Sequence, residues 1–532
     1  MTKKLTHLLI KAMKKTLRNF GKLLIILSLV YGAFILSFVV LNFTNYSGDQ
    51  INDAYRVMGI WENSWPTLGP GPAAWSGLVG DVYLPPLYYY LVFPGTLITP
   101  DLSAQAISNA LFTFLTIPLL AFTIYRLLEG VEKDKRFFLS ALSGFWYIFL
   151  FRNIVMSTGD SLGGNPVSIP FFLLCLVLLY DFQLNEKLSP KLEILCWIGY
   201  GLVIAIITNL HFSSLYVISA VSIISIIYYI FQNPKSKKQW TLPGLAIFTT
   251  LITLTPYWIG ELGRNWINTQ RIIQLVFDSS TEEGHSVSLT QRFQAIFSGY
   301  IDLGKDVYFI SDSDKSILIS IVFLLLILVV GIYKFKGNKT IFYSLLFVWG
   351  VFLLAYSSTD LEKTYNPVFY KILIYLSPIV LTMCSLAYLD FSKKLDKILI
   401  SFIICCITIS LVVNIKYFAN YINSRGGISR VANTSDISEA LETIPAQSII
   451  CHPQERYKNI RNQEYINQYI NQQDLTFVGE CERNFYLLYP KYGSLGDYRL
   501  KKTKSISEDF KNFDHQYELF EETPLFYIYQ IK

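Results

Sequence analysis

Carboxylates, a histidine and a few cations collect in short polar stretches between long apolar runs. The first stretch, 46–55 (YSGDQINDAY), holds Asp49 and Asp53. They are four residues apart, one turn from each other on a helix. A second, 157–166 (STGDSLGGNP), carries Asp160. His211 sits in Asn209-Leu210-His211-Phe212, and 256–268 (PYWIGELGRNWIN) contains Glu261 and Arg264. Asp360, Glu362, Lys363, Tyr365, Tyr370 and Lys371 form a last group. A positioned carboxylate can take a proton from an attacking hydroxyl or amine. A guanidinium or ammonium can hold a phosphate whose charge grows as a bond breaks. Two acids in reach of each other can also share a divalent cation such as Mg or Mn. No CxxC, HExxH or His cluster points to zinc.

The elements that must position these groups follow from composition. The 532 residues are 52% hydrophobic and 16% charged, with a mean hydropathy of +0.38. Soluble domains carry about 25% charged residues, so this chain cannot cover several soluble domains with polar surface. A nucleic-acid-binding module, a coiled coil and a disordered chain are excluded on the same grounds. Apolar runs of spanning length fall at 23–43, 103–128, 137–156, 165–184, 192–210, 211–232, 239–258, 316–335, 340–357, 368–390 and 398–418. Eleven such runs describe an all-α polytopic membrane protein. The 36 Tyr, 38 Phe and 9 Trp suit interfacial belts on many helices.

Charge sets the orientation. Seven Lys and Arg, from Lys3 to Lys22, precede the first run without one acidic residue, so the N-terminus is expected in the cytoplasm. That run is long enough to span, whereas a signal peptide's apolar region is shorter and ends in a small-residue cleavage site. The gaps 126–136, 185–191, 233–238, 334–339 and 392–397 each hold two to four basic residues, while 44–102 has only Arg56. Twenty-two of the 45 Lys and Arg lie in the N-terminus and these five gaps, which accounts for the net charge of +6 without an acidic partner. The helices then run N-in/C-out, with the chemistry-bearing stretches on the extracytoplasmic face.

Two large outward loops are expected, 44–102 and 259–315, within a transmembrane domain covering 1–420. The segment LPPLYYYLVFPGTLI is too short and Pro-interrupted to span, and reads as an interfacial or re-entrant helix. Residues 289–301 are amphipathic and suit the interface. The tail, 421–532, has 13 Lys or Arg and 15 Asp or Glu with mixed strand and helix signals, as for a small extracytoplasmic α/β domain. Cys451 and Cys481 lie there and can pair in an oxidising compartment. The other five cysteines lie in apolar runs, where they pack as small hydrophobes.

The order of a first span, an outward Asp, and a long loop with LGPGP followed by YLPPLYYY resembles the GT-C superfamily of membrane glycosyltransferases. It is most similar to the dolichyl-phosphate-mannose protein mannosyltransferase-like family (glycosyltransferase family 39 type, bacterial members). Gly164-Asn165-Pro166 with Pro170, Asn209-Leu210-His211-Phe212 and ELGRNWIN extend the resemblance over about residues 20–390. It implies an inner-membrane, multi-pass enzyme of the cell envelope. Such an enzyme moves a sugar, with inversion, from a polyprenyl-phosphate donor to an acceptor on a lipid, glycan or protein.

The resemblance makes Asp49 the general base and Asp160 an acid supporting acceptor or metal, with Asp49 and Asp160 the metal candidates. Many members carry a second acid after the first; here Gln50 follows, and Asp53 lies one turn on. His211 sits at a membrane boundary, where ionisable groups tend to be functional. Arg264, Lys363, Lys371 and Tyr370 are the candidate donor-phosphate contacts, with Glu261 beside Arg264. Before the Pro pair, where many members have His or Lys, stands Leu84. A polymerase or ligase of lipid-linked glycans would place its key residues in a late loop such as 259–315. A secondary transporter would show internal repeats and ionisable residues within spans; no convincing repeat is present.

Overall fold

The computed structural model describes residues 2–43, 48–69, 83, 85–99, 103–150, 189–210, 212–277, 290, 294, 308–309, 314–339, 342–343, 345–347, 349–350, 376–390, 393–423, 434–451, 467–468, 473–478, 485–490, 492–493, 501–502, 517–522 and 526–531. Helices form where the apolar runs are described. They are α1 (Thr2–Phe43), α2 (Gly48–Gly59), α3 (Leu87–Val92), α4 (Ser103–Leu127), α5 (Lys133–Phe149), α6 (Pro190–Leu210) and α7 (Phe212–Gln232). They continue with α8 (Lys237–Thr253), α9 (Thr255–Gly263), α10 (Ile267–Phe277), α11 (Asp314–Lys334), α12 (Ser377–Tyr388) and α13 (Lys394–Asn423).

Among the described residues, four helices are long and apolar enough to cross a membrane: Lys14–Val40, Ala104–Leu127, Pro190–Leu210 and Lys394–Asn420. A bent pair makes a fifth, against eleven expected. The shorter apolar helices Ser222–Phe231, Leu318–Lys334 and Ser377–Tyr388 sit within three further runs. The run 165–184 lies outside the described residues. Phe20, Leu23, Ile26, Val30 and Phe34 of α1 are all exposed, an apolar stripe that suits contact with lipid. The protein is a multi-pass membrane protein.

The expected span 239–258 is built from two helices, α8 and α9, bent by 55°. Pro256 is the cause: its ring lacks an N–H and crowds the carbonyl of Ile252. The Thr255 hydroxyl donates to that freed carbonyl at 2.6 Å. Helix α8 packs tightly on α6 at Gly201, where a Cβ would run into the Ala246 carbonyl. The Thr250 hydroxyl closes the contact by donating to the Gly201 carbonyl at 2.9 Å. Small residues of this kind let membrane helices approach closely.

The apolar core joins α1, α4, α5, α6, α7, α8, α11, α12 and α13. At one end of the bundle, loops that charge assigned to a common face touch one another. Lys135 Nζ donates to Ala387 O at 2.7 Å, Asn338 N to Leu127 O at 3.2 Å, and Lys334 pairs with buried Asp396 at 3.5 Å. Burial lowers the Lys135 pKa, and the carboxylates of Asp390 and Glu132 act against that shift. Glu132 also caps α5, accepting from the amides of Asp134 and Lys135.

The tail forms a five-stranded mixed sheet. Its strands in this sheet are β1 (Ile449–Cys451), β2 (Thr476–Val478), β3 (Tyr486–Pro490), β6 (Tyr517–Glu522) and β7 (Phe526–Ile531), ordered β2-β1-β3-β7-β6. The first three are parallel and the last two antiparallel. A further pair, β4 (Tyr492–Gly493) and β5 (Lys501–Lys502), stands apart. Helix α14 (Thr434–Glu442) covers the sheet with Ala440 and Leu441 against Ile450, Tyr486 and Ile528. Cys451 is disulfide-bonded; Cys481 lies outside the described residues, as do most of 289–301.

Candidate active site

The first loop is a packed structure built on α2 and α3. Helix α2 begins after the first span and carries Asp49, Gln50 and Asp53. Helix α3 starts where Pro86 presets the chain and continues into a 3-10 turn, Phe93–Leu97. Tyr88, Tyr89 and Val92 are buried against Val57 of α2 and Ile206 and Leu210 of α6. The segment therefore anchors in protein, beside the helix that carries the acids.

Asp53 is 5% exposed. Its Oδ1 accepts the Tyr89 hydroxyl at 3.0 Å. Burial, and then the Asp53 charge, push the Tyr89 phenol well above its usual range; Tyr88 is raised by the same causes. Both causes favour the protonated Tyr89 phenol, which donates to Asp53. Arg56 lies 5.9 Å from the Tyr89 ring and donates to the Leu68 carbonyl at 3.3 Å. The Tyr88 hydroxyl donates to Gln105 of α4 at 3.3 Å, and Ser108 donates to the Val92 carbonyl at 2.9 Å. These bonds seat α2 and α3 on the end of α4.

Tyr89→Phe removes a donor from a buried carboxylate, which costs about 1–3 kcal/mol. The melting temperature should fall; an unchanged one would show that the Asp53–Tyr89 bond contributes nothing.

The second wall is α9–α10. Helix α9 ends in a turn with Asn265 and Trp266 at positive φ, 55° and 60°, a conformation uncommon outside glycine and unfavourable for a bulky Trp. Glu261 holds it. Its carbonyl accepts the Trp266 amide at 2.9 Å, and its fully buried Oε2 accepts both the amide and hydroxyl of Thr269, at 2.8 and 2.6 Å. Glu261 Oε1 has no hydrogen-bond partner. Arg264 is exposed, with its guanidinium 5.7 Å from the Tyr83 ring of the first loop.

The structure therefore brings Asp53, Arg56, Glu261 and Arg264 to the two walls formed by the first loop and α9–α10. The backbone of Asp49 and Gln50 lies on α2, one turn before Asp53. Asp160, His211, Lys363, Tyr370 and Lys371 lie outside the described residues. Among the described residues no group of three or more His, Cys, Asp or Glu side chains comes together to hold an ion. Sequence reasoning missed Tyr89, Gln105, Thr269 and Asn268 as working parts. The signal for two of them was present, since Tyr89 and Asn268 stand inside the YLPPLYYY and ELGRNWIN stretches.

The same arrangement of helices is found in ArnT from Cupriavidus metallidurans. Its crystal structure bound to undecaprenyl phosphate superposes with a TM-score of 0.53 at 8% identity, over 95% of this chain and 97% of that one. The chain has a GT-C fold. The apo state of ArnT matches equally well, with a TM-score of 0.53 at 9% identity and the same coverage. Archaeal oligosaccharyltransferase AglB from Archaeoglobus fulgidus, with an inhibitory peptide and a dolichol-phosphate, is more distant. It has a TM-score of 0.42 at 10% identity, over 85% of this chain and 64% of that one. No protein-family model matches the chain, and no curated protein matches it. The GT-C likeness thus lies in the order and placement of helices, with very little residue identity beneath it.

Proposed function

We propose that the protein is an inverting glycosyltransferase that moves a sugar from a polyprenyl-phosphate donor to an acceptor on the extracytoplasmic face of the membrane. The observation that carries this is a GT-C fold over 95% of the chain, with a packed first loop facing α9–α10. ArnT, which shares the fold, was crystallised with undecaprenyl phosphate. In this reading Asp49 takes the proton from the acceptor hydroxyl or amine. The acceptor atom bonds to the anomeric carbon from the face opposite the phosphate. The bond from that carbon to the phosphate oxygen breaks, and polyprenyl phosphate leaves with the electron pair. Arg264 offsets the charge that gathers on it. Asp53 stays with Tyr89 and holds the helix that presents Asp49.

The test is transfer in proteoliposomes from undecaprenyl-phosphate sugars, read as release of undecaprenyl phosphate and as the anomeric configuration of the product. Retained configuration, or no transfer from any such donor, would sink the reading. Arg264→Ala should lower kcat/KM for the donor by about tenfold to a hundredfold, the range for losing a hydrogen bond to a charged group. Chelation followed by Mg or Mn addition decides whether Asp49 and Asp160 work with an ion.

A further inference from the structure

Asn268 is 1% exposed and reaches across 185 residues of sequence to the first loop. Its Oδ1 accepts the Tyr83 amide at 2.6 Å, and its Nδ2 donates to the Tyr83 carbonyl at 2.8 Å. The same Nδ2 donates to the Tyr257 hydroxyl at 2.7 Å. One side chain thus satisfies both backbone groups of a loop residue, as a neighbouring strand would. Only an amide of this length can do so. Asp has no donor, Leu has neither group, and Gln carries an extra methylene.

Asn268 is itself held. It is the second residue of α10, whose first turn is bonded to α9 through Glu261 and Thr269. A second close approach supports the same junction: a Cβ on Gly260 would lie 2.9 Å from both the Cβ and carbonyl oxygen of Thr67. Beyond Tyr83 the chain runs through Pro85 and Pro86 into α3, whose Tyr89 holds Asp53. Tyr83 also places its ring beside Arg264.

We propose that Asn268 is a positioning residue: by pairing with the Tyr83 backbone it sets the first loop against α9–α10, and with it the separation of Arg264 from the helix carrying Asp49. Its effect on donor binding rests on the transferase reading; its effect on the loop does not.

The experiment combines amide hydrogen exchange with kinetics on Asn268→Leu, Asn268→Asp and, as a control, Tyr83→Leu in the full-length protein. In both Asn268 variants, exchange of a peptide covering 83–92 should rise about tenfold, while α6 and α8 exchange as in the wild type. Tyr83→Leu keeps the backbone pairing and should leave that exchange unchanged. Donor KM should rise about tenfold in the Asn268 variants, with kcat within roughly threefold and acceptor KM unchanged. Unchanged exchange at 83–92 overturns the clamp. Raised exchange with an unchanged donor KM overturns the positioning role. A wild type that is inactive on every polyprenyl donor overturns the transferase reading and the donor role with it, while the exchange result still decides the clamp.

Discussion

Asp49→Asn is expected to lower sugar transfer by about 10²–10⁴-fold, the range typical of losing a positioned general base. That corresponds to about 3–5 kcal/mol at the barrier. The substitution keeps the side chain's shape and one acceptor oxygen and removes only the capacity to take a proton. Losing a negative charge near the start of α2 costs about 0.3–1 kcal/mol, too little to explain such a drop by unfolding. The melting temperature should therefore stay close to that of the wild type. The assignment draws on the neighbouring acid as well. Asp53, one turn later, is buried and holds the Tyr89 hydroxyl at 3.0 Å, so it is engaged in structure. Transfer within roughly threefold of wild type in Asp49→Asn would remove Asp49 as the base.

Trp146→Ala should destabilise the protein by about 3–5 kcal/mol, the usual range for emptying a large buried aromatic site. Trp146 is fully buried on α5. Its ring meets Tyr308 edge-on at 5.2 Å and Phe323 of α11 at 6.3 Å, and its indole N–H donates to Ser410 of α13 at 3.1 Å. One side chain thus links three helices far apart in sequence. Trp146→Phe keeps most of the ring and loses the Ser410 bond, which costs about 1 kcal/mol. Thermal unfolding in detergent separates the two, and equal melting temperatures would refute the packing account. Because Trp146 lies in the helical core, surviving folded Trp146→Ala should keep its donor KM. Asn268→Leu should show the opposite pattern.

Hydropathy and charge made the membrane class, most helix positions and the grouping of loops legible, because the bilayer imposes a length and sign that each segment must meet by itself. The contacts between Lys135 and Ala387, and between Lys334 and Asp396, join loops that the positive-inside rule had already placed together. The bend at Leu254 was less legible. Pro256 was visible, but a Pro can also open a new helix after a turn, so its presence alone gave no angle.

The site was legible only as a set of candidates. Asp49, Asp160, Glu261 and Arg264 could be named because charge is scarce around them. Their roles were not written in their types. Asp53 and Glu261 look alike as buried acids, yet one accepts from a tyrosine of the first loop and the other caps the start of α10. Asn268 carried no charge and gave no periodic signal; its place at the end of ELGRNWIN marked the stretch but not its partner. Residue type and spacing determined what each segment must do toward water and lipid, since that is a one-body requirement. Which loop meets which helix is a matter of pairs, such as Tyr83 with Asn268 across 185 residues. Only the folded chain decides those, because each partner's hydrogen-bonding need can be met in many ways until packing leaves one.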